Sequence, residues 1–150
     1  MLPTAIQLEV VTPERQILSE VADAVQLPGA DGELGILPGH APLMTELGIG
    51  ELSFQRGQET EHLAIIRGFA EVLPDRISVL AEIAESAAEI DVERAKAARE
   101  RAEKRLASGS SGDIDWDRAS LALQRSLIRL QVAHKGSARA SLYQEHHSAS

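Results

Sequence analysis

All six prolines of this 150-residue chain stand before residue 75, and none follows. Of the eleven glycines, only Gly109, Gly112 and Gly136 lie beyond Ser86. Proline is excluded from helix interiors because it lacks an N–H and clashes with the preceding turn. The N-terminal part is therefore broken into short segments with tight turns, while the C-terminal part is free to form long helices.

Side-chain periodicity divides the chain at the same place. Ile6, Leu8 and Val10 alternate with Gln7 and Glu9; Leu52 and Phe54 alternate with Ser53 and Gln55; Ile77 and Val79 flank Ser78. A period of two marks half-buried strands. The turn signals "PGADG", "QRGQE" and "LPDR" separate them. Short strands with Gly/Pro turns predict an antiparallel β-sandwich over residues 1–86. From Ile90 to Ala107 the text "IDVERAKAARERAEKRLA" has no breaker, Asp91 suits an N-cap, and Glu93 suits the positive end of a helix dipole. After "SGSSGD", Asp113 or Asp115 caps a second helix from about Trp116 to His134, which Gly136 is expected to terminate. Residues 87–136 thus read as an antiparallel two-helix hairpin. Residues 137–150 lack a sustained apolar period and read as a flexible tail.

Charge follows the same division. Residues 1–85 carry 4 Lys and Arg against 14 Asp and Glu, a net −10, whereas residues 86–150 carry 11 against 9, a net +2. The acidic part argues against nucleic acid as a partner. Hydrophobic residues make up 43% of the chain but aromatics only 3%, so any core is built from aliphatics. Without cysteine there are no disulfides or thiolate metal sites. No apolar run approaches the roughly 18 residues of a membrane span, and the N-terminus does not read as a signal peptide. The expectation is a soluble protein.

Catalytic signatures are missing. The chain has no GxxxxGK[ST] loop, and "GIGELS" lacks the glycines and helix of a dinucleotide fingerprint. Metal-ligand spacing is absent apart from the adjacent His146 and His147 in the expected tail, a pair read as incidental. His40, in "PGHAPL", reads as structural or interfacial rather than as a catalytic base. The chain does not read as an enzyme, and no metal or required cofactor is expected.

The hairpin carries a subtler pattern. At about 100° per residue, Arg94, Arg101 and Arg105 fall within a narrow arc of the first helix. Arg118, Arg125 and Arg129 repeat the same offsets on the second, with Trp116, Leu123, Leu127 and Leu130 opposite them. Packing through the leucines would leave two arginine rows. Turned together, they would repel unless a multivalent anion such as a phosphate chain lay between them. The alternative is two solvated faces laced with pairs such as Glu100–Lys104.

The loop "GELGILPGHAPL" from Gly32 to Leu43, the preceding "VQLPGADG" and the later "ID..RA" hairpin resemble the epsilon subunits of F-type ATP synthases of bacteria and chloroplasts. The resemblance runs from Leu8 to about Gly136, in order. It implies a β-sandwich followed by a two-helix domain, in a non-catalytic rotor subunit. That subunit would couple the gamma subunit to the membrane ring on the cytoplasmic face of the bacterial inner membrane, as a peripheral component. By the same resemblance Glu33 and His40 would face the ring, while Gly35 and Gly39 would serve the turn. The hairpin would either fold on the sandwich or extend along gamma into the catalytic head and inhibit ATP hydrolysis. Some members bind ATP in the folded state as a regulatory ligand. The residues that match their motif are Ile90, Asp91, Arg94 and Ala95, with Arg101, Arg125 and Arg129 as further basic positions and Glu85 as an acidic one. A free-standing nucleotide-sensing module is the competing reading.

Overall fold

The computed structural model describes residues 2–109 and 113–148, which divide into two compact units, 1–85 and 86–150. The first holds seven strands: β1 Ile6–Val11, β2 Gln16–Ala22, β3 Ala24–Gly29, β4 Gly32–Ile36, β5 Leu43–Arg56, β6 Glu59–Leu73 and β7 Arg76–Ser86. Their order is β2-β1-β7-β6-β5-β3-β4. Most pairs are antiparallel, but β1 and β7 run parallel, with Leu8 opposite Ile77 and Val10 opposite Val79. Across that pair Arg76 donates to Glu9 at 2.8 Å, and this hydrogen bond raises the guanidinium further above its ordinary pKa.

The alternation read in the sequence marks the buried face: Ile6, Leu8, Val10, Leu52, Phe54, Ile77 and Val79 all lie in one core. Beta-5 and β6, in register along their length, serve both layers of the sandwich because their alternation inverts midway. On β6 the core residues are Leu63 and Ile65 before the inversion and Ala70 and Val72 after it. Between them stand Arg67, with φ +59°, and Gly68, with φ +153°. A Cβ on Gly68 would lie 2.1 Å from the Leu80 carbonyl oxygen, so glycine alone lets β6 press against β7 here.

The second unit begins with a 3-10 turn, Ala87–Glu89, and continues as α1 (Val92–Ala107) and α2 (Asp113–Ser148), which pack against each other. The connecting residues 110–112 and the terminal 149–150 lie outside the described residues. One expectation is corrected. Gly136 does not terminate α2, which runs on through residues 137–148. A single interior glycine costs only about 1 kcal/mol relative to alanine, and the following "SARASLYQEHHS" contains no proline to stop the helix.

Candidate functional site

The Gly/Pro-rich segment forms a tight corner at one end of the sandwich. The His40 N–H donates to the Leu37 carbonyl at 3.2 Å, with Pro38 and Gly39 between them and Gly39 at φ +87°. This is the arrangement of a type II turn, with proline at its second position and glycine at its third. The Gly39 N–H donates to the Pro74 carbonyl at 2.7 Å, which ties the corner to the β6–β7 turn. Gly35, by contrast, has an unstrained φ and open space where a Cβ would point, so its backbone does not require glycine.

The two candidate residues of this segment are held locally. Glu33, exposed on β4, accepts from Gln26 Nε2 at 2.6 Å. His40 is half-buried, and its Nδ1 bonds the Ala41 carbonyl at 2.7 Å as a donor. The same stretch of chain carries exposed aliphatics: Leu37 is 65% exposed and Met44 67%. A second apolar opening, a groove of about 790 Å³, runs past Thr12, Glu46, Arg67, Phe69, Leu80 and Glu82. Phe69 and Leu80 there are more than half exposed. Exposed apolar side chains in groups mark contact surfaces.

The Ile-Asp-x-x-Arg-Ala motif builds the start of α1. Asp91 is its N-cap, accepting from the Arg94 N–H at 3.1 Å. Ile90 and Ala95, just before the cap and four residues after it, are both buried, in the positions of a hydrophobic staple. Ile90, Asp91 and Ala95 therefore have structural duties, and Arg94, exposed like Asp91, contributes the motif's one cationic side chain.

Burial traces one stripe on each helix. On α1 it comprises Ala95 and Ala102, flanked by half-buried Ala98, Arg99 and Leu106; on α2, Ala119, Ser126 and Ala133 repeat every seven residues. The most buried positions of the seam are thus small residues, and of the leucines expected from the sequence Leu123 and Leu130 are half-buried beside them. Trp116 is 53% exposed and Leu127 46%. Alanine and serine allow helices to approach closely, which the larger side chains would prevent. Each arginine row lies roughly 100° from its stripe, in the same rotational sense on both helices. For antiparallel helices, equal offsets of one sense bring both rows to the same side of the hairpin. Arg94, Arg101, Arg105 and Arg118 are exposed there, while Arg125 and Arg129 are half-buried.

Arg99 falls outside the row. Its side chain lies along the buried stripe, with Nε 3.8 Å from Glu103. Glu85 is half-buried near the end of β7, within the sandwich unit rather than on the hairpin. Sequence reading missed the contribution of Gly136, whose backbone lies against Ala87. A glycine inside a breaker-free run of helix formers was the available signal. Among the described residues no His, Asp and Glu cluster could hold a metal ion, and no helix is long and apolar enough to cross a membrane.

Both units match known families. The family model for the ATP synthase delta/epsilon chain β-sandwich domain matches residues 5–87, and that for the long α-helix domain of the same chain matches residues 88–134. The ATP synthase epsilon chain of Syntrophobacter fumaroxidans is 53% identical over 130 residues, covering 87% of this chain and 96% of the relative. That of Desulforamulus reducens is 53% identical over 127 residues, covering 85% and 96%. Among solved structures, a chain of the Euglena gracilis mitochondrial ATP synthase, seen with OSCP, F1 and c-ring in rotational state 1, superposes with a TM-score of 0.76. It is 26% identical, with 89% of this chain and 83% of that one covered. With both units matched in order, this chain belongs to the ATP synthase delta/epsilon family, as an epsilon chain, a non-catalytic subunit of the rotor stalk.

Proposed function

We propose that this subunit couples gamma to the membrane ring through its sandwich and restrains ATP hydrolysis through its hairpin, with ATP as the ligand that keeps the hairpin folded. Membership of the family favours the assembled subunit over a free-standing sensor. The exposed Leu37 and Met44, in the same stretch of chain as Glu33 and His40, suit the ring, and the groove with Phe69 and Leu80 suits gamma. On this reading the protein is peripheral, on the cytoplasmic face of the membrane.

The observation that carries the regulatory part is the pair of arginine rows sharing one side of a hairpin with a small-residue seam. Guanidinium groups at that density repel one another, and a triphosphate relieves the repulsion with charge-assisted bonds worth ~1.5–3 kcal/mol each. ATP would draw on Arg94 and Arg101 of α1 and on Arg125 and Arg129 of α2. A ligand shifts a conformational equilibrium only by its differential affinity for the two states. One that bridges both helices favours the folded hairpin, because extension would split the site.

Titration of the isolated chain with ATP tests this directly. Arg94→Ala and Arg129→Ala should each weaken binding by about 5- to 100-fold, the loss of one charge-assisted bond, whereas Arg99→Ala should change it far less. Equal losses from all three would indicate diffuse attraction rather than a site, and no saturable binding in the wild type would remove ATP from the account.

A further inference from the structure

Gly136 has a neighbour that no side chain could share. A Cβ placed on it would stand 2.3 Å from the Ala87 Cβ and 3.7 Å from the Ala87 Cα. Carbon atoms in contact settle at about 3.5–4.0 Å, so the backbone of α2 lies directly on the Ala87 methyl. Ala87 opens the 3-10 turn Ala87–Glu89, through which the chain leaves β7 and enters the hairpin, and α2 packs on this turn. The turn leads straight into α1: the Ile90 N–H donates to the Ala87 carbonyl at 3.3 Å, Ile90 is buried, and Asp91 caps the helix. The contact therefore joins a late part of the hairpin to its first residue. Alanine is the better helix former at an interior position, so a glycine kept there has a reason beyond the helix itself.

We propose that Gly136 and Ala87 form a clasp, a close backbone contact that holds α2 on the linker and keeps the hairpin folded against its own starting point. Extension of the hairpin away from its base requires this contact to open. The regulatory consequence rests on the function proposed above; the clasp itself does not. Arginine side chains and bound ATP would then act on a hairpin already biased by a nearly ligand-independent contact, and the size of residue 136 would set that bias.

A double-mutant cycle in the full-length chain tests the clasp. The four proteins are wild type, Gly136→Ala, Ala87→Gly and the double variant, and the readout is amide hydrogen exchange at Ile90 and along α2. Gly136→Ala should speed exchange at Ile90 by about tenfold or more, through overpacking against Ala87. In the Ala87→Gly background, where the obstructing methyl is gone, the same substitution should leave exchange unchanged or slow it. If Gly136→Ala slows exchange in both backgrounds, position 136 is an ordinary interior glycine and the clasp is wrong. Should Gly136→Ala alone lose the hairpin fold, recovery in the double variant supports the clasp and failure to recover overturns it. In the assembled complex, Gly136→Ala should deepen inhibition at a given ATP concentration. Unaltered hydrolysis alongside a positive exchange cycle would overturn the regulatory reading while leaving the clasp intact.

Discussion

The sandwich buries Phe54, Ile6, Leu8, Leu27 and Ile65 almost completely, whereas the buried side chains among the described residues of the helical unit are mostly small: Ala95, Ala102, Ala119, Ser126 and Ala133, with Ile90 and Val132. Burying a Leu, Ile or Phe side chain contributes about 1.5–3 kcal/mol, and a methyl group only about 0.8. The two units consequently differ in how firmly they are held. The sandwich has the core of an autonomous domain, as its proposed anchoring role requires. The described seam of the hairpin is thin, which suits the proposal that a ligand or contact worth a few kcal/mol could shift its state. The proposed roles, anchoring by the sandwich and switching by the hairpin, call for such a division of strength.

The contrast is open to direct attack. The largest effect should follow Phe54→Ala, which empties the sandwich core and should cost about 3–5 kcal/mol of stability in urea unfolding of the full chain. A loss below about 1 kcal/mol would mean that the sandwich is not the dominant core. Next comes Arg125→Ala, which should weaken ATP binding by about 1–3 kcal/mol while leaving the urea transition of the sandwich in place. If both fall together, the two units are not independent. Asp91→Ala removes the N-cap of α1 and should cost about 1 kcal/mol, visible as earlier thermal loss of helical circular dichroism. The smallest effect is expected for Lys96→Ala, which breaks an exposed pair with Glu93 at 3.6 Å; such pairs contribute little, and helix melting should not shift measurably.

The sandwich was legible because its alternation, turn residues and breakers all point the same way. Ile6, Leu8 and Val10 could be assigned to a core from their spacing alone. Less visible was the inversion at Arg67–Gly68, since no local pattern announces that a strand will cross between layers, and a positive φ at arginine runs against its preference. The parallel pairing of β1 with β7 joins residues some seventy positions apart and leaves no local trace. On the hairpin, Asp91 as a cap and the equal arginine offsets were readable. The seam was readable in part: leucine spacing marks the side on which Leu123 and Leu130 lie half-buried, but the most buried positions beside them are the small Ala119, Ser126 and Ala133. Gly136 misled for a related reason: the rule that places glycine past a helix end competes with close helix approach, and only the neighbouring Ala87 decides between them.

Hydrolysis of ATP by the assembled complex, measured as initial rate against ATP concentration, bears most directly on the division between a fixed sandwich and a switching hairpin. It should be compared for the wild-type chain and for a chain ending at Ala87. The wild type should show relief of inhibition as ATP rises; the shortened chain should still assemble, give a higher rate at low ATP, and show no such relief. Failure of the sandwich to assemble without its hairpin, or rate curves for the two complexes that superimpose at every ATP concentration, would contradict the account.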